Sequence, residues 1–172
     1  MTGGARGLGF AAARGLLEHG ASGVVIFDLS DVIAENSNKL ALQALRVEFP
    51  AAKILTQVVD VCDEEAVKEF IRLSVNQLGS IDILLTFAGI ATGGGATIDV
   101  PMHQWKRVLD VNLTGTLLCA RTAAKYGFTS PCLQNTYIYD KTDDGSGKWR
   151  LHRFDVVLGG EPGAVPVPHR RI

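Results

Sequence analysis

The chain has 172 residues, of which 47% are hydrophobic and 20% charged, and its 17 basic and 18 acidic side chains leave a formal net charge of −1. A globular domain takes roughly 100–200 residues, so this composition describes one ordinary folded domain and excludes disorder throughout. With the charges nearly balanced and no run of Lys or Arg, nothing in the sequence would gather nucleic acid or an anionic membrane surface.

The first expected element is a helix from Gly9, where GFAAARGLLEH sets Phe10, Ala13, Leu16 and Leu17 on one stripe and Gly20 stops it. GVVIFDLS follows, and the apolar run Val24 to Phe27 reads as a strand covered on both faces, with a polar end at Asp28. A second helix is expected from Asn38 to Phe49, with Leu40, Ala44 and Val47 inward and Pro50 barring its continuation. Ile54 to Val59 reads as a second strand ending in Asp60.

The next helix starts at Asp63, a capping residue, buries Val67, Phe70, Ile71 and Leu78, and stops at Gly79. Ile81 to Phe87 is expected as a third strand. Strands alternating with helices of this length form βαβ units, so the fold class is α/β with a doubly wound, mostly parallel sheet. A loop with three adjacent glycines, Gly93 to Gly95, follows, and Pro101 suits the first turn of a long helix reaching about Lys125. Residues 126–172 hold four of the six prolines and no helix-strand rhythm, which divides the chain into a domain over 1–125 and an irregular tail over 126–172.

Cys62, Cys119 and Cys132 are odd in number and widely spaced, which fits reduced thiols better than a disulfide framework or a zinc site. His19, His103, His152 and His169 show no metal-ligand spacing, so no metal is expected. MTGGARGLG has no charged lead or apolar core of a leader, and no segment approaches the roughly 20 apolar residues of a membrane span. The expected location is the cytoplasm, with no membrane or nucleic-acid partner.

The opening run Thr2-Gly3-Gly4-Ala5-Arg6-Gly7-Leu8-Gly9 has the form TGxxxGxG and leads straight into a helix. Glycines permit a tight turn there, bring backbone N–H groups close to a pyrophosphate and aim the helix N-terminus at the anion. By itself such a pattern also fits an ordinary strand-to-helix turn. Asp28, nineteen residues after Gly9, stands where a carboxylate can accept hydrogen bonds from ribose hydroxyls. Asp60 and the pair Ala88-Gly89 end the next two strands, so three strand ends offer polar or minimal residues on the carboxyl edge, where open α/β sheets bind ligands.

With these residues the chain resembles the short-chain dehydrogenase/reductase family over about residues 2–125. TGGARGLG is similar to that family's cofactor motif, FDLS with Asp28 and Leu29 to its ribose-binding strand end, and Asp60-Val61 to its adenine-contacting pair. LLTFAGI stands in the place of the family's NNAG, with Thr86 and Phe87 replacing both asparagines, and Asn112 in DVNLTG matches an active-site Asn that supports a bound water and the catalytic Lys. The resemblance implies a Rossmann-like fold and a cofactor set of Thr2, Gly3, Arg6, Gly7, Leu8, Gly9, Asp28, Leu29, Asp60, Val61, Ala88 and Gly89. It also implies hydride transfer between a nicotinamide and an alcohol or ketone, and a homo-oligomer formed through the helix that holds Asn112.

A 2′-phosphate facing Asp28 would be repelled by roughly 4 kcal/mol for unit charges about 4 Å apart at an intermediate dielectric, which favours NAD over NADP. Arg6 in the glycine loop pulls toward NADP. The family's Ser and YxxxK are the elements not found in place. Tyr137 and Lys141 have the spacing, but Ser130 precedes Tyr137 by only seven residues with Pro131 between, so the match reads as accidental. The chain also opens at the glycine loop, where the resemblance places a central strand first, so neighbouring strands are expected to keep unpaired backbone groups at about 1–3 kcal/mol each. The sheet is therefore expected to be incomplete, and turnover impaired or absent. A non-catalytic dinucleotide-binding or regulatory fragment is the second reading. An S-adenosylmethionine-dependent methyltransferase is the third, disfavoured by the TGxxxGxG spacing and NLTG.

Overall fold

The computed structural model describes residues 1–92, 97–126, 134–141 and 149–156, the last two stretches as backbone alone. The chain divides into two units, Met1–Thr129 and Ser130–Ile172. In the first unit, α1 (Gly7–Glu18) is followed by β1 (Gly23–Asp28), a short α2 (Ser30–Ala34), α3 (Asn36–Glu48) and β2 (Lys53–Val58). After α4 (Glu64–Leu78) come a 3-10 turn at Thr97–Asp99 and α5 (Met102–Leu109). A π-helical turn at Asp110–Gly115 then leads into α6 (Thr116–Tyr126).

β1 and β2 pair in parallel from Gly23 with Lys53 to Asp28 with Val58. Along β1 the side chains alternate between two cores. Val24 and Ile26 pack with Ala13, Leu17, Leu42, Leu45 and Ile54, while Val25 and Phe27 pack with Val67, Phe70, Ile71, Cys119 and Ala123. A strand whose two faces both meet helices reads as a continuous apolar run, which is why Val24 to Phe27 was legible. Phe27 and Phe70 meet with ring centroids 4.3 Å apart and tilted by 55°, a favourable aromatic arrangement. Asp63 caps α4 by accepting from Ala66 N at 3.0 Å, and Pro101 stands just ahead of α5.

The expected third strand over Ile81–Phe87 does not form as a strand. Only Thr86 joins the sheet, through a parallel bridge to Thr2, which bridges Phe27 on its other side. Thr2 N donates to Leu85 O at 3.0 Å and Phe87 N to Thr2 O at 3.1 Å; Gly3 N donates to Phe27 O at 2.9 Å and Phe27 N to Met1 O at 3.0 Å. The ladder between β1 and the 81–87 segment is thus three residues long. Below it, Gly23 to Val25 and Ser80 to Leu85 line a cleft of about 350 Å³.

The inward face of α3 is also corrected. Leu40 and Val47 are 64% and 81% exposed, and the buried positions are Asn38, Leu42 and Leu45. The helix carries two apolar lines, and α2, absent from the sequence reading, selects the second: Asn38 Nδ2 donates to Val32 O at 2.8 Å. The long helix expected from Pro101 is present, but DVNLTG forms the π-helical turn inside it. In the second unit, β3 (Gln134–Lys141) and β4 (Trp149–Val156) pair antiparallel, Gln134 with Val156 through Lys141 with Trp149. A hairpin therefore stands within the segment read as irregular. Gly93 to Gly95 and the remainder of the tail lie outside the described residues.

The Met1 amino group is buried and donates to Val25 O. Burial pushes its pKa down from 8.0 to about 5, with Cys119 opposing weakly. As pH falls below 8 the unfolded amine takes up a proton that the folded one refuses, so stability present above pH 8 declines toward pH 5 and levels below it. At ~1.4 kcal/mol per pH unit the loss reaches roughly 4 kcal/mol. Denaturant titrations at pH 8 and pH 5 will show this slope in a chain with a free amine at Met1. A chain extended ahead of Met1, where that nitrogen is an amide, will lack it.

Candidate functional site

At the carboxyl edge of the sheet a second cleft, of about 340 Å³, is lined by the glycine loop, the ends of β1 and β2, the segment at 87–90 and the inward side of the long helix. It brings together Gly3, Arg6, Gly7, Leu8, Gly9, Asp28, Leu29, Asp60, Val61, Ala88 and Gly89. Thr2, read from the sequence as part of the same set, is not among the lining residues. It is 1% exposed, and its Oγ1 accepts a hydrogen bond from Ala88 N at 3.0 Å. Thr2 is therefore a strut: its backbone joins β1 to the 85–87 segment and its hydroxyl holds Ala88 at the cleft wall.

The glycine loop fits a phosphate group for two reasons visible in the fold. A Cβ on Gly9 would lie 2.2 Å from Gly3 O, so only glycine lets α1 start against the loop. The first turn of α1 holds no acidic residue, and Arg6 at the N-cap supplies no side-chain cap. N–H groups at this helix start thus keep their capacity for an anion.

Asp28 ties the loop to the sheet. Its Oδ2 accepts from Ala5 N at 3.2 Å and its Oδ1 from Leu29 N at 3.0 Å. Asp60 is held differently. Its Oδ1 accepts from Cys62 N at 2.9 Å, and Arg107 Nη2 approaches Oδ2 at 3.5 Å. The Cys62 backbone N–H chiefly, and the Arg107 guanidinium in addition, hold the Asp60 carboxyl below its usual range against the opposing effect of burial. Burial first, and then the Asp60 charge, push the Cys62 thiol up, so it is no thiolate nucleophile.

Asn112 lies on the π-helical turn, outside the cleft lining. Its Oδ1 accepts from Ile90 N at 2.8 Å and its Nδ2 donates to Ile90 O at 2.9 Å, while Thr116 Oγ1 donates to Asn112 O at 2.8 Å. The amide expected to support a water and a lysine is committed to the backbone of the loop after Gly89. Thr86 and Phe87 remove the amides of NNAG, and the structure supplies other anchors: Thr2 holds Ala88 and Asn112 holds Ile90. A Cβ on Gly115 would meet Val61 Cγ2 at 2.6 Å, so glycine lets the same turn press against the end of β2. Tyr137 and Lys141 lie on β3 of the second unit, opposite Arg153 and Trp149. Ser130 lies outside the described residues.

Arg107, Val111 and Ile90 also line the cleft and were missed in the sequence. The signal was available for two of them, since Arg107 and Val111 are spaced i, i+4 and share one side of the helix that carries Asn112.

This arrangement defines a doubly wound α/β protein whose cleft lies at the carboxyl edge of its sheet. A family model described as short chain dehydrogenase matches residues 1–129, and the chain belongs to that family. It is 36% identical over 126 residues to cis-4-hydroxycyclohexanecarboxylate dehydrogenase of Sinomonas cyclohexanicum, covering 73% of this chain and 47% of that protein. It is 35% identical over 129 residues to 2-dehydro-3-deoxy-L-rhamnonate dehydrogenase (NAD(+)) of a Sphingomonas species, covering 73% and 46%. Among solved structures, a short chain dehydrogenase from Mycobacterium smegmatis superposes with a TM-score of 0.63 at 31% identity, covering 73% of this chain and 49% of that one. The chain thus spans about half the length of the curated relatives it matches.

Thr2→Val keeps the volume of the strut and removes its hydroxyl, leaving the Ala88 N–H without its acceptor. The expected loss is about 1–3 kcal/mol of unfolding free energy by denaturant titration, with Thr2→Ser restoring most of it.

Proposed function

We propose that this chain is the dinucleotide-holding part of an NAD-dependent short-chain oxidoreductase that moves hydride between the nicotinamide and an alcohol or ketone carbon. The observation that carries the proposal is the convergence of the uncapped helix start, Asp28, Asp60 and the Ala88-Gly89 wall on one cleft. The N–H groups of the glycine loop receive the pyrophosphate, and Asp28 accepts from ribose hydroxyls. Asp60 and Val61 take the adenine side, while Ala88 and Gly89 leave room for the rest of the cofactor. When bound, the nicotinamide supplies the hydride acceptor or donor. Asn112 acts through Ile90, fixing the backbone beside Gly89.

NAD is preferred over NADP because Asp28 meets any 2′-phosphate with a like charge. Arg6, on the same loop, reduces that penalty. The second reading, a dinucleotide-binding fragment without turnover, is favoured by the position of Tyr137 and Lys141 on a paired strand. Calorimetric titration is expected to give NAD binding at least tenfold tighter than NADP, no binding of S-adenosylmethionine, and no consumption of NADH with small ketones. Absence of binding to either dinucleotide overturns the proposal, and turnover removes the fragment reading.

Self-association belongs to the same proposal. Trp105, Leu109, Leu113 and Leu117 lie along the outward side of α5, the π-helical turn and α6, and Leu113 is 65% exposed. An exposed apolar stripe of this length suits an isologous contact with a second copy. Light scattering is expected to give a dimer for the parent chain and a monomer for Leu113→Glu with Leu117→Glu. A cytoplasmic location completes the reading.

A further inference from the structure

Next to the end of β2 the cleft carries a side-chain pair that none of the sequence motifs contains. Arg107 reaches across from α5, with Nη2 3.5 Å from Asp60 Oδ2 and Nη1 3.7 Å from Cys62 Sγ. The opposite oxygen, Asp60 Oδ1, is held by Cys62 N at 2.9 Å, so the carboxylate cannot rotate away. At 3.5 Å the contact is long for an N–H···O bond, and the Arg107 side chain is 52% exposed. The pair is therefore not saturated by itself. A guanidinium has five N–H groups and a carboxylate about four lone-pair sites, so both keep capacity facing the cleft they line.

An acceptor and a donor side by side, about one hydrogen-bond length apart, are complementary to a flat ring whose edge shows an amine beside a ring nitrogen. Adenine has that edge, and Asn and Gln side chains read it by the same donor-acceptor logic. Hypoxanthine, with a carbonyl in place of the amine, sets an acceptor against the carboxylate. Val61 and Val111, both buried, give the same end of the cleft apolar surface for the ring faces. Asp28, by contrast, is held through backbone N–H groups of Ala5 and Leu29.

Resting on the dinucleotide reading above, we propose that Arg107 is a specificity-determining residue that reads the adenine edge together with Asp60. The carboxylate takes the exocyclic amine and the guanidinium takes the ring nitrogen beside it. Arg107→Met keeps the aliphatic stem and removes the fork, and Arg107→Lys returns a single point donor.

The test is calorimetric binding of NAD, its hypoxanthine analogue, and the analogues in which either ring nitrogen beside the amine is replaced by C–H. The parent chain is expected to bind the hypoxanthine analogue and one of the C–H analogues about tenfold more weakly than NAD. Arg107→Met is expected to bind NAD about tenfold more weakly, the loss of one hydrogen bond to a charged group. In that variant the C–H analogue is expected to match NAD, because the nitrogen has lost its donor. Arg107→Lys recovers part of the affinity, and the unfolding midpoint of unliganded Arg107→Met stays that of the parent. NAD binding unchanged by Arg107→Met, or a C–H penalty that survives the substitution, overturns the proposal. A parent chain that binds no dinucleotide overturns the reading beneath it instead.

Discussion

The site depends on a backbone ladder only three residues long. Met1 to Gly3 lie between Phe27 and the 85–87 segment, and their N–H and C=O groups exchange hydrogen bonds with both neighbours. Buried backbone polar groups that lack partners are costly, so this short ladder fixes the edge of the sheet firmly. The glycine loop leaves directly from it, α1 starts against the loop, and the Thr2 hydroxyl carries the restraint on to Ala88. Asp28 closes the circuit through Ala5 N. Three segments distant in sequence are thus held in register by main-chain geometry before any ligand is considered.

The two carboxylates of the cleft have different surroundings, and the difference follows from where each strand ends. Asp28 meets the loop and is held by N–H groups alone. Asp60 meets the long helix and has a cation beside it. That helix serves two surfaces at once: Arg107 and Val111 line the cleft, while Leu113 and Leu117 face outward. Both surfaces are already present in α5, where Trp105 and Leu109 are exposed and Arg107 lines the cleft, and they continue through the π-helical turn into α6.

Much of the fold was legible because a doubly covered strand has a strong signature. Val24 to Phe27 and the capped, periodic α4 were read directly, and the cleft gathers the residues that the glycine spacing and strand ends pointed to. What escaped depends on partners remote in sequence. The 81–87 segment has strand composition, yet a strand also needs a neighbour, and Thr2 provides one only at Thr86. Leu40 and Val47 make as good an apolar line as Leu42 and Leu45, and the choice falls to remote partners, the core around Val24 and Ile26 that takes in Leu42 and Leu45 and the bond from Asn38 to Val32 O on α2. The spacing of Arg107 with Val111 puts the two on one side of the helix, but the role of Arg107 lies in its distance to Asp60, which spacing does not give.

The grip of Asn112 on residue 90 uses main-chain atoms at both ends of one peptide residue. A restraint of that kind is indifferent to the side chain it holds. Ile90 is free to be exchanged for bulkier, smaller or polar alternatives without loosening the loop, provided its N–H remains, which rules out proline alone. Descent with modification can therefore reshape the rim of the cavity at this point while the scaffold underneath stays put.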